Sequence, residues 1–398
     1  MRIFHIVNLK TVAGIERAFC AFVSAEKMSS MQHYVASRGV SSRLAGTLHK
    51  NCERVFTPGV WRGSRFPLVP RRGIDREIKK RLSEVNPDVV ISWSSATSVS
   101  ALDWCARSNT PFIYWEHGRA WEEASRPSRV YATLLEQADR IICNSSASAR
   151  MIGHFWRQGG KTTVVPNGLR PECSVAAPVV REFEGDAEVT VGFAGRLVPA
   201  KGAVVLVHAL GLLRKSGVPV TLRIAGEGPE KEGIVAQIRR LGLSDVSMVV
   251  GFEDDMSRFY RGCDLVVCPS IREPFGLVSI EAQASGRPVI VSEVDGLPET
   301  IDVEKTGLAV RPSEAVGYLE SLGGSTSPLP EFSYFPDRDV IGPPRVVSAD
   351  DLAESIAKMI TSPDFSKMSR RAASFAREEF SFDVHVSRVC KVLHDVVG

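Results

Sequence analysis

No segment of the chain approaches eighteen consecutive apolar residues, so no membrane-crossing helix is expected. The opening MRIFHIVNLK reads as a strand, too short and too polar for a secretory signal, and the expected location is the cytoplasm. The eight cysteines (Cys20, Cys52, Cys105, Cys143, Cys173, Cys263, Cys268 and Cys390) show neither CxxC nor Cys/His metal spacing. That removes the sequence case for a zinc site or a disulfide framework, and their mostly apolar neighbours make them reduced core residues. No nucleic-acid motif accompanies the basic residues, so no nucleic-acid partner is expected. What is present is ordinary for a globular protein: 44% hydrophobic and 24% charged residues in a chain of 398. That length predicts two domains, each with its own core.

A net charge of +3 conceals an uneven distribution. Residues 1–175 hold 25 Lys and Arg against 14 Asp and Glu, net +11, and the remainder holds 24 against 32, net −8. Trp61 to Arg81, WRGSRFPLVPRRGIDREIKKR, carries eight basic and two acidic residues with Trp61 and Phe66 among them. One reading is a solvated arm and helix face. The other is a surface for anionic lipid heads or a lipid-diphosphate acceptor, since basic residues interleaved with aromatics suit a membrane interface.

Short apolar runs alternate with helical patterns along the whole chain. Strands are expected near Ile3–Val7, His33–Ser37, Asp88–Trp93, Phe112–Glu116, Arg140–Cys143 and Thr162–Val165. A second set is expected near Val189–Ala194, Val220–Ala225, Ser247–Val250, Asp264–Cys268, Pro288–Val291 and Leu308–Val310. This alternation predicts α/β architecture with parallel sheets covered by helices, in two Rossmann-like domains. The boundary is expected between Pro171 and Glu188, where periodicity is lost and Pro, Gly and acidic residues gather. Open parallel sheets bind ligands beyond the carboxyl ends of their strands, so two facing domains would share a cleft.

The most informative stretch is PSIREPFGLVSIEAQASGRPVIVSEVDGLPETI, Pro269 to Ile301. CDLVVCPS reads as a buried strand entering a loop, Pro274 and Gly276 punctuate the turn, and a helix follows over roughly Gly276–Ser285 with Leu277, Ile280 and Ala284 on its packed face. Its first amides lack intrahelical partners and carry partial positive charge, and Gly276 admits close approach, so a phosphate or diphosphate fits there. Glu273 precedes those amides and Glu281 stands on the second turn. Each glutamate alone would read as helix decoration; together around an anion site they suit a ligand with phosphates and hydroxyls. Upstream, VGFAGRLVPAKG (Val191–Gly202) is a strand running into a loop with Arg196 and Lys201, a pair able to neutralise a diphosphate.

EPFG, the spacing to Glu281 and GLPE at Gly296–Glu299 resemble the signature of retaining glycosyltransferases of the GT-B fold, family 4 (glycosyl transferases group 1). GRL followed by KG is matched at Gly195, Arg196, Leu197, Lys201 and Gly202, and IAGEGPE resembles the family's GxGP element. The resemblance covers nearly the whole chain, strongest from Val191 to Ile301. It implies a GT-B fold of two doubly wound parallel-sheet domains facing across a cleft: an acceptor-side domain at 1–172, with a final helix at 382–398 packing back on it, and a nucleotide-sugar domain at 173–381. It further implies that Glu273 touches the transferred sugar and Glu281 the ribose, that amides at Gly276 and Leu277 meet the diphosphate, and that Arg196 and Lys201 neutralise it. Gly251 and Phe252 fall in the nucleobase loop. In the first domain Gly14 opens a helix near a phosphate, with Ala13 where the family commonly has another glycine. His117, after the strand in YWEHGRAW, matches a histidine that contacts the sugar. Glu116 beside it is open to two readings, orienting the imidazole or pointing into the sheet; Asn144, Ser145 and Asn167 are open to reading as caps alone.

Residues 313–347 interrupt an otherwise short connection, and a Pro- and Gly-rich insertion reads more readily as a surface excursion than as a catalytic part. Asp337-Arg338-Asp339 within it is a DxD string, but no strand end surrounds it, and no obligatory metal or cofactor is expected. The implied activity is hexosyl transfer (EC 2.4) from a nucleotide diphosphate sugar, UDP- or GDP-linked, to a glycan or lipid-linked acceptor. Bacterial cell-envelope polysaccharide synthesis (lipopolysaccharide, O-antigen, capsule or exopolysaccharide) is the expected setting, with a peripheral place at the inner membrane left open. The alternatives are a GT-B epimerase or phosphorylase and a non-catalytic sugar-nucleotide-binding scaffold.

Overall fold

The computed structural model describes the chain apart from residues 12–13, 58–59, 62–63, 66–70, 96–97, 172, 174–177, 179, 181–187 and 254, and at 58–72 it describes no side chains. Ala13, the side chains of Trp61, Phe66, Arg71 and Arg72, and much of the expected boundary at 171–188 therefore lie outside the described residues. The chain divides into two compact units, Met1–Gly168 with Asp383–Gly398, and Leu169–Phe382.

In the N-terminal unit seven parallel strands lie in the order Arg54–Phe56, Gln32–Ala36, Arg2–Ile6, Val89–Trp93, Phe112–Glu116, Arg140–Cys143, Thr162–Val164. Every residue of Val89–Trp93 and Phe112–Glu116 is buried, which is why those strands read as mostly apolar runs, with Ser92 and Glu116 the polar exceptions: helices cover both sheet faces. The edge strand Arg54–Phe56 escapes the sequence pattern because it is only three residues long and half-buried at most. Phe19, Phe22, Trp93 and Trp115 pack with His5, His33 and His117 in an aromatic core. A directional relay runs through it. Trp93 Nε1 donates to His5 Nδ1 (3.2 Å), His5 Nε2 meets His33 Nδ1 (2.9 Å), and His33 Nε2 faces the Met28 carbonyl (3.4 Å), which sets both imidazoles neutral and Nε2-protonated. The final helix, Phe382–Val397, joins this unit; His385 Nδ1 donates to the Pro166 carbonyl at 2.7 Å and its ring lies 5.8 Å from Trp115.

The C-terminal unit holds six parallel strands in the order Ser247–Gly251, Val220–Ala225, Val189–Ala194, Leu265–Cys268, Val289–Ser292, Gly307–Val310. Val189, Val191 and Phe193 alternate toward one face, where the helices Ala203–Lys215 and Ala349–Ile360 supply Leu206, Leu210, Leu352 and Ile356. Gly192 faces the other side, where an added Cβ would lie 2.6 Å from Cys263 Sγ. Both sheets reverse strand order once, the first between Arg2–Ile6 and Val89–Trp93, the second between Val189–Ala194 and Leu265–Cys268. Adjacent strands there send their connections to opposite faces, which opens a crevice at the carboxyl ends.

The segment 313–347 differs from a surface excursion. Glu314–Ala315 pairs with Arg345–Val346, and Ser333–Phe335 pairs with Val340–Gly342, both antiparallel. Leu319, Leu322, Val346 and Val347 enter one core of the unit and Phe335 the other. These apolar residues are scattered among Pro and Gly without a period, so no helix or strand pattern marks where they belong.

Candidate functional site

At the reversal of the C-terminal sheet two loops leave neighbouring strands. The first runs from Gly195 to a 3₁₀ turn at Pro199–Lys201 and ends at Gly202, whose φ of +66° suits glycine. A Cβ on Gly202 would lie 2.2 Å from the Pro269 carbonyl oxygen, so the first loop crosses the second at a distance only glycine allows. Ile271 N–H then donates to the Ala200 carbonyl at 2.9 Å. This crossing brings together Lys201 and Glu273, 72 residues apart, as an ion pair between Nζ and Oε2, each side chain one-fifth exposed. Arg196 is exposed on the same loop.

Glu273 is fixed at its backbone on both sides: its N–H donates to Asp295 Oδ2 (2.9 Å) and its carbonyl accepts from Gly296 N–H (3.1 Å). Gly276 follows with φ +111° as the N-cap of Leu277–Ala284. Ser279 N–H donates to the Gly276 carbonyl (3.0 Å), while the amides of Gly276 and Leu277 precede any intrahelical acceptor and stand where an anion would sit. Glu281, on the second turn, is buried. Arg170 grips it through Nε–Oε1 (2.6 Å) and a second nitrogen to Oε2 (2.9 Å), and Tyr260 Oη donates to Oε2 (3.0 Å). A carboxylate offers about four lone-pair sites, so one site remains beyond these three bonds.

The glycine-rich turn serves as a brace. A Cβ at Gly226 would lie 1.9 Å from the Gly195 carbonyl oxygen and one at Gly228 2.3 Å from that of Leu197, while Leu197 N–H donates to the Glu227 carbonyl (2.9 Å). Gly251 has φ +71° and its carbonyl accepts from Gly226 N–H at 2.7 Å; Phe252 next to it is 64% exposed. Asp337 and Asp339 of the DxD string are engaged, Asp337 by Arg311 (3.0 Å) and Arg338 (3.3 Å), and Asp339 by Tyr334 Oη (2.9 Å). Among the described residues no group of three His, Cys, Asp or Glu is arranged to hold a metal ion.

In the N-terminal unit His117 follows Phe112–Glu116. It stacks beside Trp93 (5.7 Å) and Trp115 (5.5 Å), which stack on each other at 4.3 Å; its amide donates to Ser94 Oγ, and its buried Nε2 has no partner among the described residues. Burial, aided by His385, pushes its pKa down to about 3, so the ring is neutral at pH 7. Glu116 turns to the helices that cover the sheet: Oε1 accepts from Ala120 N–H (3.0 Å) and Oε2 from Tyr131 Oη (2.7 Å), capping Arg119–Ser125. Ser145 caps Ser146–Trp156 through Ser148 N–H, and Asn144 accepts from Ser148 Oγ. Gly14 starts the helix Gly14–Ser24, and a Cβ there would meet open space. Glu16 is buried and accepts from Thr11 Oγ1 (2.8 Å). In the basic segment, Lys79 pairs with Asp103 (2.6 Å), Lys80 with Glu84 (3.9 Å) and Arg81 with Glu77 and Glu84 (2.5 and 2.8 Å). These pairs lie at the surface, with Lys79 and Lys80 40% and 61% exposed. No helix among the described residues is long and apolar enough to cross a membrane.

Three residues of this arrangement escape the sequence motifs: Asp295, Arg170 and Tyr260. Only the Asp-Gly dipeptide before GLPE marks the first as a turn; the other two reach Glu281 from 111 and 21 residues away.

The family model for glycosyl transferases group 1 matches residues 181–322, and that for glycosyltransferase family 4 matches residues 14–172. Among curated proteins, the D-inositol 3-phosphate glycosyltransferase of Segniliparus rotundus is 34% identical over 189 residues, 44% of this chain and 42% of that protein. The glycogen synthase of Mycobacterium tuberculosis is 30% identical over 249 residues, 59% of each chain. The chain thus spans about half the length of the curated relatives it matches. Among solved structures, Anabaena HepE in complex with UDP and glucose superposes with a TM-score of 0.72 at 20% identity, over 99% of this chain and 100% of HepE. WaaG, a glycosyltransferase involved in lipopolysaccharide biosynthesis, gives 0.65 at 15% identity over the full length of both chains.

Proposed function

The chain belongs to the group 1, family 4 glycosyltransferases of GT-B fold, and from that premise we propose that it transfers a sugar from a nucleotide diphosphate sugar to a glycan or lipid-linked acceptor with retention of anomeric configuration. The observation that carries this reading is the Lys201–Glu273 pair, held over the open first turn of Leu277–Ala284 at the reversal point of the C-terminal sheet. Cation, carboxylate and free amides at one strand-end crevice match a ligand that joins a diphosphate to a polyhydroxyl ring.

In this reading the amides at Gly276 and Leu277 receive the diphosphate. Lys201 and Arg196 stabilise the charge that develops on it as the glycosidic bond breaks, at about 2.7–4 kcal/mol for each well-placed donor. Glu273 holds a hydroxyl of the transferred sugar. Glu281 accepts from the ribose at the lone-pair site that Arg170 and Tyr260 leave open, and Gly251 and Phe252 border the base. His117, neutral and with Nε2 unpartnered among the described residues, is suited to hydrogen-bond a sugar hydroxyl. The complex of HepE with UDP and glucose favours a UDP-sugar as the first donor to try. An acceptor in cell-envelope polysaccharide is favoured by the likeness to WaaG.

Nucleotide release from a panel of UDP-, GDP-, ADP- and dTDP-sugars tests the proposal. Release is expected from at least one donor, undiminished by EDTA, and reduced roughly 10²–10³-fold in Glu273→Ala and Arg196→Ala. Wild-type rates in both variants, with folding intact, would overturn the assignment. A peripheral membrane role for Trp61 to Arg81 predicts flotation with anionic liposomes that weakens when Arg71 and Arg72 become Glu; flotation indifferent to both removes that role.

A further inference from the structure

We infer that Asp295 is a positioning residue which makes the inserted segment 313–347 part of the site by tying its Ser333–Phe335 strand to the backbone of Glu273. Asp295 is fully buried and sits at φ +49°, in the left-handed region that side chains other than glycine rarely adopt. Its two carboxylate oxygens accept from two backbone amides of separate origin: Oδ1 from Tyr334 N–H in the inserted strand (2.8 Å) and Oδ2 from Glu273 N–H (2.9 Å). Reciprocal bonds close both sides, Asp295 N–H to the Tyr334 carbonyl (2.8 Å) and Gly296 N–H to the Glu273 carbonyl (3.1 Å). Ser333 Oγ adds a bond to the carbonyl of Ile271, two residues before Glu273 (2.9 Å).

With its N–H and C=O both held by residues 295–296, Glu273 has its two flanking peptide planes fixed, and only side-chain rotation is left to it. Residues 295–296 are held in turn by the inserted strand. The hairpin is anchored further by Phe335 in the core and by Asp337 on Arg311 (3.0 Å) just past the Gly307–Val310 strand. An ionised carboxylate is needed at 295 because both partners are donors. Asparagine would turn an NH₂ toward one of them and lose that bond, whereas a loop that required only the turn would accept asparagine or glycine at φ +49°.

The test compares full-length wild type, Asp295→Asn and the milder Ser333→Ala by hydrogen–deuterium exchange over Ile271–Gly276 and by donor kinetics. The kinetic arm rests on the role proposed above for Glu273; the exchange arm does not. Asp295→Asn should raise exchange over Ile271–Gly276 by about tenfold or more, as expected for one lost charge-assisted bond. It should lower kcat for nucleotide release roughly 10- to 100-fold through misplacement of the carboxylate, with donor KM within about threefold. Ser333→Ala should move both in the same direction by about threefold, and it decides the question if Asp295→Asn fails to fold. A lower melting temperature with wild-type exchange at 271–276 and wild-type kcat would overturn the inference and leave Asp295 as a fold-stabilising residue only. Absence of nucleotide release in wild type would strike the functional reading, and exchange alone would then decide the positioning role.

Discussion

The two units differ in the polar groups that dominate their interiors. All six tryptophans and seven of the eight histidines belong to the N-terminal unit, with His208 the exception. There the buried imidazoles are kept neutral: burial pushes His33 and His385 down to about 4 and His117 to about 3, and lowers His5 as well. The C-terminal unit has a largely aliphatic core and holds ionised side chains through compensating bonds: Arg170 with Glu281 and the partly exposed Lys201 with Glu273 as ion pairs, buried Asp295 and Asp264 on backbone amides, and buried Arg287 on backbone carbonyls. A neutral relay costs little desolvation but fails once a proton is added; a buried pair withstands mild acid but fails when one partner is removed. The same doubly wound topology therefore carries two different vulnerabilities.

Acid should separate the units most strongly. In the unfolded chain these histidines titrate near 6.5, so the unfolded state takes up protons first as pH falls. The stability that depends on neutral imidazole is fully present above about pH 6.5 and is lost toward pH 4, by up to about 1.4 kcal/mol per pH unit for each histidine. Tryptophan fluorescence reports the N-terminal unit alone. Its melting midpoint should drop between pH 7 and 4.5 by more than the C-terminal transition seen in calorimetry, and equal shifts would remove the contrast. Next in size, Arg170→Ala leaves Glu281 as a buried charge with Tyr260 and should destabilise the C-terminal unit by about 3–5 kcal/mol, with the tryptophan transition unmoved. Gly202→Ala should cost about 1–3 kcal/mol from its left-handed φ, with added strain where the new Cβ meets the Pro269 carbonyl, again in the C-terminal transition. The smallest effect is expected in the N-terminal unit: Lys79→Ala removes a largely exposed pair with Asp103 and should change stability by no more than about 0.5 kcal/mol in urea titration.

Much of this was legible in the chain. The strands Phe112–Glu116, Arg140–Cys143, Val189–Ala194 and Val220–Ala225 stand where their apolar runs put them. Helix Leu277–Ala284 starts at the glycine that punctuates it. Arg54–Phe56 was invisible because a three-residue edge strand has no period to read. Glu281 taken alone reads as helix decoration; Arg170 and Tyr260, distant in sequence, hold it buried. Glu116 could be read two ways until Tyr131 and the Ala120 amide claimed its oxygens. The inserted segment read as excursion because Leu319, Tyr334, Phe335 and Val346 follow no helical or strand period, yet each packs where the fold brings it.

By itself the sequence determined the doubly wound α/β elements, the glycines at 202 and 276, and the presence of Arg196, Lys201, Glu273 and His117 beside strand ends, because periodicity, turn chemistry and helix starts are local. The tertiary structure decided which charges meet. Lys201 reaches Glu273 only because two loops cross at Gly202, and Arg170 reaches Glu281 across 111 residues. Asp295 binds an inserted strand to the Glu273 amide through one buried carboxylate. Such pairings depend on Coulomb and hydrogen-bond distances of a few ångströms between residues far apart in the chain, which no local pattern encodes.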